Sequence, residues 1–150
     1  MATLAQIEQF VAQRHIAVVG VSRTPQKFGN AIFRELKQQG YTMYPVSQHM
    51  VEFEGVKCFP DIASLPPEVS AIVLNTKPLQ TSSLLNEVKK KGIPNIWLQQ
   101  GSTSPELRKM IKKEGIPVIT RECILMFASP VHFIHRAHRF VKKAVGSYPK

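Results

Sequence analysis

Acidic residues are scarce in this chain: 10 Asp and Glu stand against 20 Lys and Arg, a formal net charge of +10 over 150 residues. Such a deficit points to polyanionic partners, whether nucleic acid, acidic lipid or a multiply phosphorylated small molecule, and does not by itself choose among them. Cysteine is scarcer still. Cys58 and Cys123 are the only two, which excludes a disulfide framework and leaves two reduced thiols. No apolar run approaches the roughly 20 residues of a membrane helix, so no membrane span is expected. The start, Met1-Ala2-Thr3-Leu4-Ala5-Gln6, lacks the basic and apolar regions of a signal peptide, and a cytoplasmic location is expected. Repeats, linkers and low-complexity tracts are missing. Residues 1–150 therefore read as one domain, large enough to bury a core. Zinc spacing and a recognisable Ser/His/Asp arrangement are also missing, so neither a metal site nor a catalytic residue is assigned.

What is present centres on Ile16-Ala17-Val18-Val19-Gly20-Val21-Ser22, followed by Gly29 and a helical pattern. A buried strand runs into a turn carrying Gly20 and Ser22, and the chain enters a helix near Gly29. This arrangement aims backbone N–H groups and a helix N-terminus at one point, where an anion can sit. It departs from the dinucleotide fingerprint G-x-G-x-x-G in two ways. Ser22 replaces the second glycine, and the gap before Gly29 is longer and contains Arg23 and Lys27. Two readings follow for the loop. Either the glycines serve backbone geometry alone, or Ser22, Arg23 and Lys27 add donors and charge where a diphosphate would lie. The end of the second strand, Tyr44-Pro45-Val46-Ser47-Gln48, has no acid until Glu52. An NAD site places a carboxylate there for the ribose hydroxyls. Its absence disfavours NAD and suits a phosphorylated ribose, as in NADP or coenzyme A.

Strands and helices alternate. A capping box of Thr3 and Gln6 opens a short helix with Leu4, Ile7, Phe10 and Val11. Strands are predicted at Ile16 to Val19, Thr42 to Val46, Ala71 to Leu74, Asn95 to Leu98 and Pro117 to Thr120. A short extra strand is expected within Glu54 to Pro60, before a turn-rich stretch to Pro67. Helices are predicted from about Gly29 to Gln39, from Pro78 to Gly92, from the Ser104-Pro105-Glu106 start to Gly115, and from about Pro130 to Ala144. The pattern predicts an α/β fold of Rossmann-like, doubly wound type, with a mainly parallel sheet covered by helices on both faces. Ligands of such sheets sit at the carboxyl ends of the strands. Those ends carry Gly20-Val21-Ser22, Pro45-Val46-Ser47, Asn75-Thr76-Lys77-Pro78, Gln99-Gln100-Gly101 and Thr120-Arg121-Glu122-Cys123.

On these residues the chain resembles the stand-alone coenzyme A-binding proteins, whose Rossmann-like domain is similar to that of the succinyl-CoA synthetase alpha subunit. The resemblance rests on Ile16 to Ser22, Lys27-Phe28-Gly29, Gly40-Tyr41, Tyr44-Pro45-Val46-Ser47, Lys77-Pro78, Trp97-Leu98-Gln99-Gln100-Gly101 and Cys123, and spans about residues 14–125. It implies that Gly20, Ser22, Lys27 and Gly29 meet the CoA phosphates. Ser47 and its neighbours would flank the adenosine, Lys77 and Pro78 would border the groove, and Gly101 would allow close approach of the pantetheine. The family's arginine directly precedes its late cysteine. Here the order is Arg121-Glu122-Cys123, and no role is carried over to the arginine. Cys123 itself reads as a small core residue or as a thiol near that of CoA.

The last predicted helix, at about 130–145, is amphipathic. Phe133, Ile134, Ala137, Phe140 and Val141 share one face, and His132, His135, Arg136, Arg139, Lys142 and Lys143 share the other. The apolar face is expected to pack on the domain or on a second subunit, which makes a homo-oligomer one expected state. His132, His135 and His138 drift around the helix too far for a metal site. The reading is thus a protein that binds CoA or an acyl-CoA as a binding, carrier or sensor protein rather than an enzyme. A small NADP-dependent oxidoreductase is the alternative, weakened by the altered glycine loop and the lack of an evident proton donor. A nucleic-acid-binding module using the last helix is the third reading, weakened because stacking aromatics do not interleave the basic stripe.

Overall fold

The computed structural model describes residues 2–128 and Gly146. The helix predicted at about 130–145 lies outside the described residues. The elements are α1 (Leu4–Val11), β1 (His15–Val19), α2 (Phe28–Gln38), β2 (Thr42–Val46), β3 (Glu52–Phe53), β4 (Val56–Lys57), β5 (Ala71–Leu74), α3 (Pro78–Lys91), β6 (Asn95–Leu98), α4 (Pro105–Glu114) and β7 (Val118–Ile119), then a 3-10 turn at Ile124–Met126. Five strands form one sheet in the order β2-β1-β5-β6-β7, and every pairing in it is parallel. The chain winds outward in one direction from β1 to β2 and in the other from β5 to β7. Right-handed crossovers then place α2 on one face and α3 and α4 on the other. The order reverses between β1 and β5, and that is where a doubly wound sheet opens a crevice.

The strands are apolar because both of their faces are covered. Ile16 and Val18 join the core layer that holds Phe10, Phe33 and Trp97. Ala17 between them faces the other layer, with Leu74, Leu85 and Ile111. The same period of two divides Ala71 and Val73 from Ile72 and Leu74. Trp97 is fully buried. It meets Phe10 edge-on at 5.2 Å between ring centroids, and its indole N–H donates to the Glu122 carbonyl at 3.1 Å.

Local chemistry sets the helix ends. Thr3 and Gln6 cap each other's backbone at α1. At α4 the Ser104 hydroxyl accepts from Leu107 N–H at 3.1 Å, and Pro105 occupies the first turn. Three expectations shift in detail. Helix α2 starts at Phe28, one residue before Gly29, with Lys27 as its N-cap. The single extra strand is instead a hairpin: Glu52 and Phe53 pair antiparallel with Lys57 and Val56, around a turn in which Glu54 and Gly55 both have positive φ. The last strand shortens to Val118–Ile119, where only Ile96 and Trp97 of β6 offer partners.

Candidate functional site

A cleft of about 440 Å³ opens at the carboxyl ends of β1, β2 and β5. Its floor is Val19 of β1 with Gly20 and Val21 just after it. Val46, Ser47, Gln48 and His49 form one wall, while Thr76, Gln80 and Glu87 on the β5 and α3 side form the other. Asp61 and Ile62, from the segment before β5, complete the rim. Of the residues singled out in the sequence, the cleft lining brings together Gly20, Val21, Val46, Ser47 and Thr76. Ser22, Arg23, Lys27, Phe28, Gly29, Lys77, Pro78, Gln100, Gly101 and Cys123 are not part of that lining.

Two glycines make the strand-to-helix turn possible. Gly20 has φ +122°, and a Cβ there would lie 2.3 Å from the Asn75 carbonyl oxygen. A Cβ on Gly29 would lie 2.1 Å from the Gly20 carbonyl oxygen. Gly29 lets the first turn of α2 rest on the end of β1, and Gly20 lets that end rest on the end of β5. This is the close helix–strand approach that the third fingerprint glycine usually provides.

Asn30 ties the loop between them. It is 1% exposed. Its side-chain oxygen accepts from Ser22 N–H at 2.8 Å, and its amide nitrogen donates to the Ser22 and Thr24 carbonyls at 2.9 and 3.0 Å. The Ser22 hydroxyl accepts from Thr24 N–H. The Ser22 amide is therefore committed inside the protein, and the loop is held in one shape. Arg23 donates from Nη2 to the His49 carbonyl at 2.7 Å, joining this loop to the one after β2.

The buried polar residues share this end of the sheet. Among the described residues they are Asn30, Thr81, Gln99, Ser102 and Glu122. Thr81 bonds the Thr76 hydroxyl at 2.8 Å. Ser102 donates to the Leu74 carbonyl at 3.0 Å and accepts from Thr76 N–H at 3.2 Å. Gln99 accepts from Ile124 N–H at 3.2 Å. Buried hydrogen bonds of this kind hold loop ends rigid, so the polar core serves the loops of the site. Gln100 and Gly101, between Gln99 and Ser102, are left exposed.

The electrostatics set two helices apart. Both α2 and α3 begin on an exposed lysine, Lys27 and Lys77, without a side-chain cap and without an acid in the first turn. A cation at a helix N-terminus opposes the macrodipole, by about 0.3–1 kcal/mol at a surface. An anion lying across both ends would reverse the sign of that term. At α4, by contrast, Ser104 and Glu106 supply the cap and the acid. Glu106 has its carboxyl held below the ordinary range by its own backbone N–H and the Ser104 hydroxyl. Cys123 is buried in the layer with Trp97. Cys58 is buried too, and burial, helped by the nearby Glu52 carboxylate, pushes its thiol up. Among the described residues no three His, Cys, Asp or Glu side chains gather as a metal site, and no helix is long and apolar enough to cross a membrane.

Sequence reasoning missed Asn30, Gln80, Asp61 and Glu87. A polar residue on the inner face of α2 was a signal for Asn30. The other three reach the cleft through tertiary packing and carried no local mark.

Known proteins are similar to this chain. The alpha subunit of ADP-forming acetate–CoA ligase II from Pyrococcus furiosus is 32% identical over 129 residues, which cover 79% of this chain and 28% of that subunit. The uncharacterised protein YneT of Bacillus subtilis is 26% identical over 121 residues, 80% of this chain and 90% of YneT. The solved structure of a conserved hypothetical protein from Pyrococcus furiosus superposes with a TM-score of 0.69 at 34% identity, over 74% of this chain and 96% of that one. The chain thus spans little more than a quarter of the ligase subunit but nearly all of the two small proteins. The family described as the CoA binding domain matches residues 14–129, and the chain belongs to that family.

Proposed function

We propose that this protein binds coenzyme A or an acyl-CoA and acts as a carrier or sensor, as one domain and in the cytoplasm, without catalysing a reaction of its own. The observation that carries this reading is the cleft at the switch point, together with two helix starts at the same end of the sheet that carry uncapped lysines, Lys27 shortly before Gly29 and Lys77 shortly after β5. The diphosphate lies across those helix starts, with Lys27 and Lys77 as charge partners and the backbone N–H groups of the first turns as donors. Ser47 and Gln48 at the end of β2 meet the adenosine. No carboxylate stands at that strand end to repel a ribose phosphate. Asp61 and Glu87, on the far rim, are placed to accept from hydroxyl or amino groups. Membership in the CoA binding domain family supports the choice of ligand.

Thermal denaturation with four ligands tests it. A ligand that binds only the folded state adds about 2.7 kcal/mol at a hundredfold excess over its dissociation constant. CoA is expected to raise the melting temperature most, dephospho-CoA less, and NAD and NADP little. A larger shift with NADP than with CoA transfers the site to the oxidoreductase reading.

A further inference from the structure

A second opening, of about 480 Å³, lies between the starts of α3 and α4. Its walls are Pro78, Leu79 and Ser82 on one side and Ser104, Leu107 and Met110 on the other. Carbon dominates this lining, and Glu106 is also part of it, so the groove repels a second phosphate rather than attracting one. Leu79 is 88% exposed. An isolated leucine left in water needs no explanation, but one standing at the mouth of an apolar groove extends it.

The groove and the CoA cleft are the two sides of one helix start. On α3, Gln80 and Ser83 face the cleft, while Leu79 and Ser82, each one residue earlier, face the groove. Thr76 lines the first and Pro78 the second, with only Lys77 between them. A ligand with its phosphates over the Lys77 helix start carries its pantetheine arm across that start toward the apolar side. The acyl chain, at the far end of that arm, is the most apolar part of a CoA thioester.

We propose that the groove between α3 and α4 is the acyl seat, and that the ligand of this protein is a CoA thioester carrying an aliphatic chain of several carbons. The proposal rests on the CoA reading of the cleft. An acyl chain there trades water for Leu79, Leu107 and Met110. Each methylene fully removed from water multiplies affinity about fourfold. The groove is open on one side, so the gain per methylene is smaller, and about tenfold separates octanoyl-CoA from acetyl-CoA.

Calorimetric titration of the full chain with CoA, acetyl-CoA, butyryl-CoA and octanoyl-CoA tests this, alongside the Leu79→Ser variant. Leu79 is 88% exposed and the substitution adds no charge at the helix start, so the variant is expected to keep the wild-type affinity for CoA. Affinity is expected to climb along the acyl series in the wild type and to climb less steeply in Leu79→Ser. A level series in the wild type, with CoA still bound, overturns the acyl seat and leaves the CoA reading intact. A climb that persists unchanged in Leu79→Ser also overturns it, by placing the chain elsewhere. Failure of every ligand in the series overturns the CoA reading and the acyl seat with it.

Discussion

Replacing Gly29 by alanine separates packing from intrinsic helix preference, because the two predict opposite signs. Gly29 lies in the first turn of α2, with no positive φ to restrict it. On propensity alone, alanine would stabilise the helix by up to about 1 kcal/mol. The built Cβ, however, would lie 2.1 Å from the Gly20 carbonyl oxygen and 2.5 Å from its carbon. Both are backbone atoms on the end of a central strand, and no side chain can swing away. Relief requires α2 to back off by on the order of an ångström, which opens the interface above Ile32 and Phe33. Overpacking typically costs about 1–3 kcal/mol, and an obstacle made of backbone belongs at the upper end of that range. Subtracting the helix gain leaves a net loss of about 2 kcal/mol, or roughly 6–8 °C in melting temperature for a chain of this size. Urea denaturation measures it, with the midpoint falling and the slope unchanged. Retreat of α2 also draws Lys27 away from the cleft, so CoA affinity falls in the same variant. A Gly29→Ala protein as stable as the wild type, or more stable, refutes the close-approach argument.

Three other perturbations follow from the site. Lys27→Ala is expected to weaken CoA binding by about 1.5–3 kcal/mol, roughly 10- to 150-fold, without lowering the melting temperature of the free protein, because it removes a charge-assisted hydrogen bond to the ligand and a cation that opposes the α2 dipole; titration calorimetry checks it. Asn30→Leu leaves the Ser22 N–H and two carbonyls without their partner, and is expected to cost about 2–3 kcal/mol in urea unfolding and to weaken CoA binding as the loop loosens. Glu106 titrates lower in the folded chain than in the unfolded one, so its stabilising effect is present above the ordinary glutamate range and is lost as pH falls through the depressed folded value. Glu106→Gln should therefore melt below the wild type at pH 7, with the gap closing as the pH is lowered through the acid range.

Much of the sheet was legible because its strands are short, apolar and bounded by glycine, proline or polar residues. The predicted Thr42 to Val46, Ala71 to Leu74 and Asn95 to Leu98 match the observed strands. The first strand gains only His15, whose ring bonds the Tyr44 hydroxyl. The hairpin was read as one strand because its turn, Glu54-Gly55, is not a strong hairpin dipeptide; Glu54 is held at φ 48° while its carboxylate pairs with Arg34 of α2. At the site, Gly20 and Gly29 were visible as spacing, but the reason for Gly29 is a contact with another residue's carbonyl, which no local pattern carries. Lys27 and Lys77 were visible as charges. Their shared place at two uncapped helix starts depends on the crossover geometry that brings the starts of α2 and α3, on opposite faces of the sheet, to the same end of it at the switch point. Gln80, Asp61 and Glu87 reach the cleft only because β5 and α3 fold against the end of β1.

The most direct test of the central claim is a titration of isotopically labelled full-length protein with CoA, followed by backbone amide resonances. The account predicts saturable shifts at Gly20, Lys27, Phe28 and Gly29, at Ser47 and Gln48, and at Thr76 and Lys77, with β3 and β4 unmoved. Shifts confined to residues outside the carboxyl ends of β1, β2 and β5, or no shifts at millimolar CoA, would contradict it.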